Sequence, residues 1–193
     1  MMHGLLGDAR FYRALLEIDR REAQGLHGAL CPHCGSGLLH TADYPRRPRG
    51  VPAGAREAMS RRFSFCCSAC RQRVTPSSAR FLGRRLYAGA LVVAVSVLLR
   101  GGAREAGLAR SERPCARTLR RWRCWWQEVF SATAFWRGAR GRFATPVPNH
   151  CLPHQLLECF VGEVASRMRY TLRFLRPITT TSCARLAMDV QRR

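Results

Sequence analysis

Cys31-Pro32-His33-Cys34-Gly35 and, further along, Cys67-Ser68-Ala69-Cys70-Arg71-Gln72-Arg73 are the stretches whose reading decides the fold. Two cysteines separated by two residues let the backbone turn sharply while both sulfurs face one ion. Two such knuckles supply the tetrahedral four-sulfur set that zinc prefers. The spacing therefore predicts a bound Zn2+ with Cys31, Cys34, Cys67 and Cys70 as ligands; Cys66 is an alternative to Cys67, and His33 and His40 are close enough in sequence to intrude. Between the knuckles lie two short extended pieces, Leu38 to Thr41 and Arg62 to Phe65, the second with Phe63 and Phe65 in alternation. Pro45, Arg46, Arg47, Pro48, Arg49, Gly50, Pro52 and Gly54 between them read as an exposed loop. A long flexible loop adds little closure entropy. Knuckle, strand, loop, strand, knuckle is the order of a zinc ribbon, here spanning 28–80.

Three other uses of cysteine compete with zinc. A redox pair normally has one knuckle in a strand-helix context, a disulfide framework needs an oxidising compartment, and thiols can also be simply buried. The chain has ten cysteines. Met1 to Gly7 is too short for a secretory leader and carries no basic n-region.

The 193 residues carry a formal net charge of +21, with a pI near 11.4. Such a balance points to a polyanion, nucleic acid before membrane. All the cationic side chains are arginine, and isoleucine and asparagine are scarce, so part of the excess reflects a GC-rich coding sequence. Phosphate attracts a chain this basic whatever the origin of its arginines.

Outside the ribbon the patterning is helical. Asp8 is a suitable N-cap for Phe11, Leu15, Ile18 and Glu22 at helical spacing, with Gly25 as a stop, giving an N-terminal helix within 1–27. Leu86 to Leu99 is apolar throughout but shorter than the roughly 20 residues of a membrane span. It reads as a buried helix ended by Gly101-Gly102. Ala103 to Arg110 reads as a second short helix that Arg113-Pro114 would break, and a third is expected from Cys115 toward Phe130. Leu119, Trp122, Trp126 and Val129 or Phe130 share one face of that helix, and arginines cover the rest.

Three helices with a tight break before a basic last one are the parts of a helix-turn-helix unit, here within 81–130. In that arrangement the last helix enters the major groove of double-stranded DNA, where arginine bonds guanine and threonine meets a thymine methyl or a phosphate. Arg117, Thr118 and Arg121 are the base-reading candidates, and Arg120 and Arg123 the phosphate contacts. An arginine-rich solvated helix is the plain alternative. Residues 131–153, with Arg137-Gly138-Ala139-Arg140-Gly141-Arg142 and Pro146, Pro148 and Pro153, read as a basic linker. His150, Cys151, His154 and Cys159 fit no common closed metal site. Within 154–193, Gln155 to Leu175 predicts one amphipathic helix that packs on the core or pairs two copies into a homodimer.

On Cys31-Pro-His-Cys34-Gly35, Cys67-Ser-Ala-Cys70-Arg71-Gln-Arg73-Val-Thr75, Leu108-Ala109 and Arg117-Thr118-Leu119-Arg120-Arg121-Trp122, the chain resembles the DNA-binding region of bacterial insertion-sequence transposases and the short regulatory proteins some such elements encode. The resemblance covers roughly 28–126. It implies recognition of element ends or of a promoter; a separate transposase is an expected partner, and the expected location is cytoplasmic and nucleoid-associated, with no membrane. Arg113 stands where that family's turn has glycine, and Cys115 where serine or threonine caps the third helix. Transposases of this kind cut DNA with three carboxylates around two metal ions. After the third helix the acids here are Glu128, Glu158, Glu163 and Asp189, without a strand pattern. The expectation is a mainly α protein with a small zinc ribbon that binds DNA and is not an enzyme; a zinc-ribbon adaptor between proteins is the alternative.

Overall fold

A computed structural model describes residues 2–82, 86–100 and 114–180. Helices dominate, and the strands are short. The predicted Ala103–Arg110 helix and the Gly101-Gly102 and Arg113 breaks lie outside the described residues.

After α1 (Met2–Gly7), Asp8 caps α2 (Ala9–Gln24): its carboxylate accepts the Arg10 N–H at 2.8 Å, and Gly25 follows the last turn. Phe11, Tyr12, Leu15, Asp19 and Ala23 form the buried stripe of α2. The chain then builds a three-stranded antiparallel sheet from β1 (Leu39–Thr41), β4 (Phe65–Cys67) and β5 (Arg73–Val74), with β4 in the middle. A two-stranded extension, β2 (Tyr44–Pro45) against β3 (Arg61–Arg62), continues it. Leu39 pairs with Cys67 and Thr41 with Phe65. That register puts Leu39, Phe65 and Cys67 on the inner face with Cys31, Val74 and Ala23, the small core under the sheet.

The Pro45–Gly54 loop is less free than its composition predicts. Gly50 and Val51 are buried, and the Arg49 backbone pairs with Tyr87, its N–H donating to Leu86 O at 2.8 Å. Gly50 adopts φ +73, and a Cβ there would lie 2.1 Å from Leu91 Cδ2. Only glycine fits this contact between loop and helix.

α3 (Gly89–Arg100) is the predicted apolar helix, with Ala90 through Val95 buried. No helix among the described residues is long and apolar enough to cross a membrane. α4 (Ala116–Cys124) lies against α3 and runs into a wider π turn, Trp125–Phe130. Trp122, Trp126 and Phe130 are buried, whereas Val129 is 56% exposed.

Two sequence expectations need correction. Residues 131–153 are not a solvated linker: they hold α5 (Ala134–Ala139), and Trp136, Ala139, Val147 and Leu152 are buried. Trp136 stacks near Phe130 and donates its indole N–H to Asn149 Oδ1 at 3.2 Å. Among the glycines and arginines, Trp136 is the fully buried anchor of the stretch. Likewise, Gln155 to Leu175 is two helices, α6 (His154–Glu158) and α7 (Val164–Phe174), because Gly162 turns the chain with φ +103. Leu157, Met168, Leu172 and Leu175 pack on the chain's own core, while Val161 is 86% exposed. Among the described residues, one apolar core thus runs from Leu5 to Leu175 and draws in each of the α-helices α1–α7.

Candidate metal centre and nucleic-acid interface

The four sulfurs of Cys31, Cys34, Cys67 and Cys70 lie within 4.8 Å of one another. Cys31 Sγ is 3.7 Å from Cys70 Sγ, and Cys34 Sγ is 3.6 Å from Cys67 Sγ. Zn–S bonds of about 2.3 Å in a tetrahedron place sulfurs about 3.8 Å apart. The donor set, spacing and coordination number fit a structural zinc, with no fourth position left open for catalysis. Among the described residues this is the one such group of histidine, cysteine and carboxylate side chains.

Each knuckle is built by its backbone. The Gly35 N–H donates to Cys31 O at 2.8 Å and the Cys67 N–H to Gln72 O at 3.0 Å, closing the two turns. The His33 N–H reaches Cys31 Sγ and the Cys70 N–H reaches Cys67 Sγ, both at 3.4 Å. Such donors stabilise thiolate and orient it toward an ion. The residue after each knuckle, Gly35 at φ +71 and Arg71 at φ +60, is left-handed. The two knuckles are tied together where the Ser68 N–H donates to Leu38 O at 2.9 Å and the Leu38 N–H to Ser68 Oγ at 3.1 Å.

Cys66 is excluded from the cluster by strand alternation: Cys67 points inward, while the Cys66 thiol turns to Arg71 O. His33 and His40 are exposed and outside it. Gly37 is the residue the spacing did not single out. A Cβ on it would lie 2.4 Å from Cys67 Sγ and 2.8 Å from Ala69 N, so the two knuckles close over a bare Cα. A second glycine three residues after Cys34 was its sequence signal.

The thiols of Cys34, Cys67 and Cys70 differ in acidity. The Gly37 N–H, then the N–H and hydroxyl of Ser36, hold Cys34 down at about 5. Burial opposes ionisation of Cys67, but the N–H groups of Cys70 and Ala69 outweigh it and lower the thiol. The Gln72 N–H favours a Cys70 thiolate, yet burial and the neighbouring sulfurs of Cys67, Cys31 and Cys34 push that thiol up to about 12. Four sulfurs this close resist carrying four negative charges, and a divalent cation at their centre removes that resistance.

On α4, Arg117, Arg120, Arg121 and Arg123 are exposed and Thr118 is half-buried. They flank the stripe that buries Trp122, so the helix sets arginines outward and tryptophan inward. Cys115 precedes the helix with extended backbone, and its thiol sits 3.4 Å from Thr118 Oγ1. Arg123 also lines a cavity of about 430 Å³ with Ser96, Trp126 and His150. His150, Cys151, His154 and Cys159 do not converge on a common point.

Compared with models of protein families, with curated proteins and with solved structures, the chain gives no match.

Proposed function

We propose that the chain is a zinc-dependent protein that binds duplex DNA, with Cys31, Cys34, Cys67 and Cys70 holding one Zn2+ in a zinc ribbon and α4 serving as the last helix of a helix-turn-helix unit. The observation that carries the DNA reading is the arginine face of α4, exposed at Arg117, Arg120, Arg121 and Arg123 on a chain of charge +21. Its role in a mobile element, as a regulator, an accessory factor or a transposase region without the carboxylate triad, rests on the sequence resemblance. The zinc is structural in this reading. The sheet's core offers Leu39, Phe65 and Val74 as its large buried apolar side chains, each worth about 1.5–3 kcal/mol, whereas a structural zinc contributes roughly 10–16 kcal/mol.

Elemental analysis combined with a salt titration of binding to random duplex DNA tests both parts. One zinc per chain is expected, with log K falling linearly against log salt. Replacing the phosphate-contact candidates Arg120 and Arg123 with alanine should flatten that slope by about 2, at about 0.9 per phosphate contact, while the melting temperature holds. Absence of zinc removes the ribbon.

A protein adaptor is the second reading, favoured by Leu30 and Leu38. These two leucines pair in a β-bridge beside Cys31, 62% and 47% exposed. Stoichiometric zinc with no salt-sensitive DNA affinity would select it.

A further inference from the structure

A second basic surface lies on the loop between the two knuckles. The loop at 47–51 and the 3-10 turn Glu57–Met59 with its flanks enclose a cleft of about 750 Å³ lined by Arg47, Arg49 and Arg56 together with Gly50, Met59 and Ser60, and no carboxylate among the described residues lines it. All three guanidinium groups are exposed, and none has an ion-pair or hydrogen-bond partner among the described residues. Asp43 and Glu57, the nearest acids in sequence, line a different cavity with Arg13 and Arg61. Three unpaired cations around one concavity repel one another, an arrangement that a polyanion relieves.

The backbone beneath these arginines is held in place. The Arg46 N–H donates to Ser60 O at 2.7 Å, the Ala88 N–H donates to Arg49 O at 3.1 Å, and the Tyr12 hydroxyl reaches Gly50 O at 3.4 Å. Gly50, with its φ of +73, seats the loop on Leu91 of α3. A loop fixed at both ends presents its side chains at little ordering cost on binding. The cleft is also coupled to α4 through one residue. The Tyr87 backbone pairs with Arg49, and the Tyr87 ring meets the Trp122 ring edge-on at 5.2 Å between centroids.

We propose that this cleft binds the sugar-phosphate backbone of the duplex whose groove α4 enters. The inference rests on the DNA reading above and adds a sequence-independent grip to it. Phosphate contacts of this kind position a protein without reading bases.

The test is a salt titration of the full-length, zinc-loaded protein on random duplex DNA, for the wild type, for Arg47→Ala/Arg49→Ala/Arg56→Ala, and for a control that removes the same charge from other exposed positions, Arg140→Ala/Arg169→Ala/Arg173→Ala. The cleft variant should lose about 2–3 from the slope of log K against log salt, and the control less than one. The affinity loss should be equal on unrelated DNA sequences. If the cleft variant changes the slope no more than the control does, the cleft is not a phosphate site although the DNA reading stands. A wild type with no salt-dependent affinity overturns the DNA reading and the cleft's role with it. Equal thermal melting of the three proteins keeps misfolding out of the comparison.

Discussion

Gly37 shows how much of the candidate metal centre turns on single atoms. The four sulfurs that could hold an ion are paired by two-residue spacing, but the approach of one knuckle to the other is set by a missing Cβ beside Cys67 Sγ. Gly37→Ala should therefore weaken zinc binding by roughly tenfold to a hundredfold, the range seen when the shell around a metal ligand is disturbed. Competition against a chromophoric chelator reads this directly, and an unchanged midpoint would mean that the knuckles can separate at no cost. Gly35 is a different case, since a Cβ there meets nothing within 4 Å and the residue is needed for its φ of +71. The cysteine spacing that brings the four sulfurs together was legible in the chain. Gly37 was not, because what it avoids comes from a strand thirty residues away.

Helix spacing placed α2, α3 and α4 from the sequence, down to the Asp8 cap. Spacing alone left Val129 and Phe130 as equal continuations of the Trp122-Trp126 stripe, three or four residues beyond the last position. The π turn decides between them: its wider i→i+5 bonding makes the step long, so Phe130 reaches the core and Val129 faces water. Phe130→Ala should cost about 3–5 kcal/mol, and Val129→Ala should stay within about 0.5 kcal/mol. Urea midpoints of the two variants check the register, and equal losses would contradict it. At the same scale, Gly162 splits an apolar pattern that is otherwise continuous from Leu157 to Leu175. A glycine inside a helical period leaves that outcome open until its φ is known.

Across the whole molecule, the helical core and the cysteine sheet meet at a buried charge pair. Asp19 on α2 accepts the Arg80 Nε–H at 2.8 Å and the Ala79 N–H at 2.7 Å, and it also takes the Ser78 hydroxyl. Arg80 bonds Ala58 O and stacks over Phe63 and Phe81 at about 5 Å. Asp19→Asn removes the counter-charge of a guanidinium that is 1% exposed and should destabilise the fold by about 3–5 kcal/mol. Replacing both partners with apolar residues, Asp19→Leu and Arg80→Met, should recover part of that loss, because neither charge of the pair is left without the other, while the buried Arg62 still loses the Asp19 carboxylate that favours its charge. Chemical denaturation of the single and double variants separates the two effects; equal losses would point to packing rather than charge.

By itself the sequence determined the chemistry available to this protein: four thiols at knuckle spacing, a surplus of arginine, and apolar stripes at helical period. These are local properties, written in spacing and residue type. Only the tertiary structure decided which cysteine of the Cys66-Cys67 pair turns inward, that the arginine- and glycine-rich 131–153 stretch is anchored by Trp136, and that Arg80 is buried while Arg47, Arg49 and Arg56 surround a cleft. An arginine looks the same in a sequence whether it meets water, a carboxylate or a phosphate. Its role depends on residues far along the chain, and only folding brings those together.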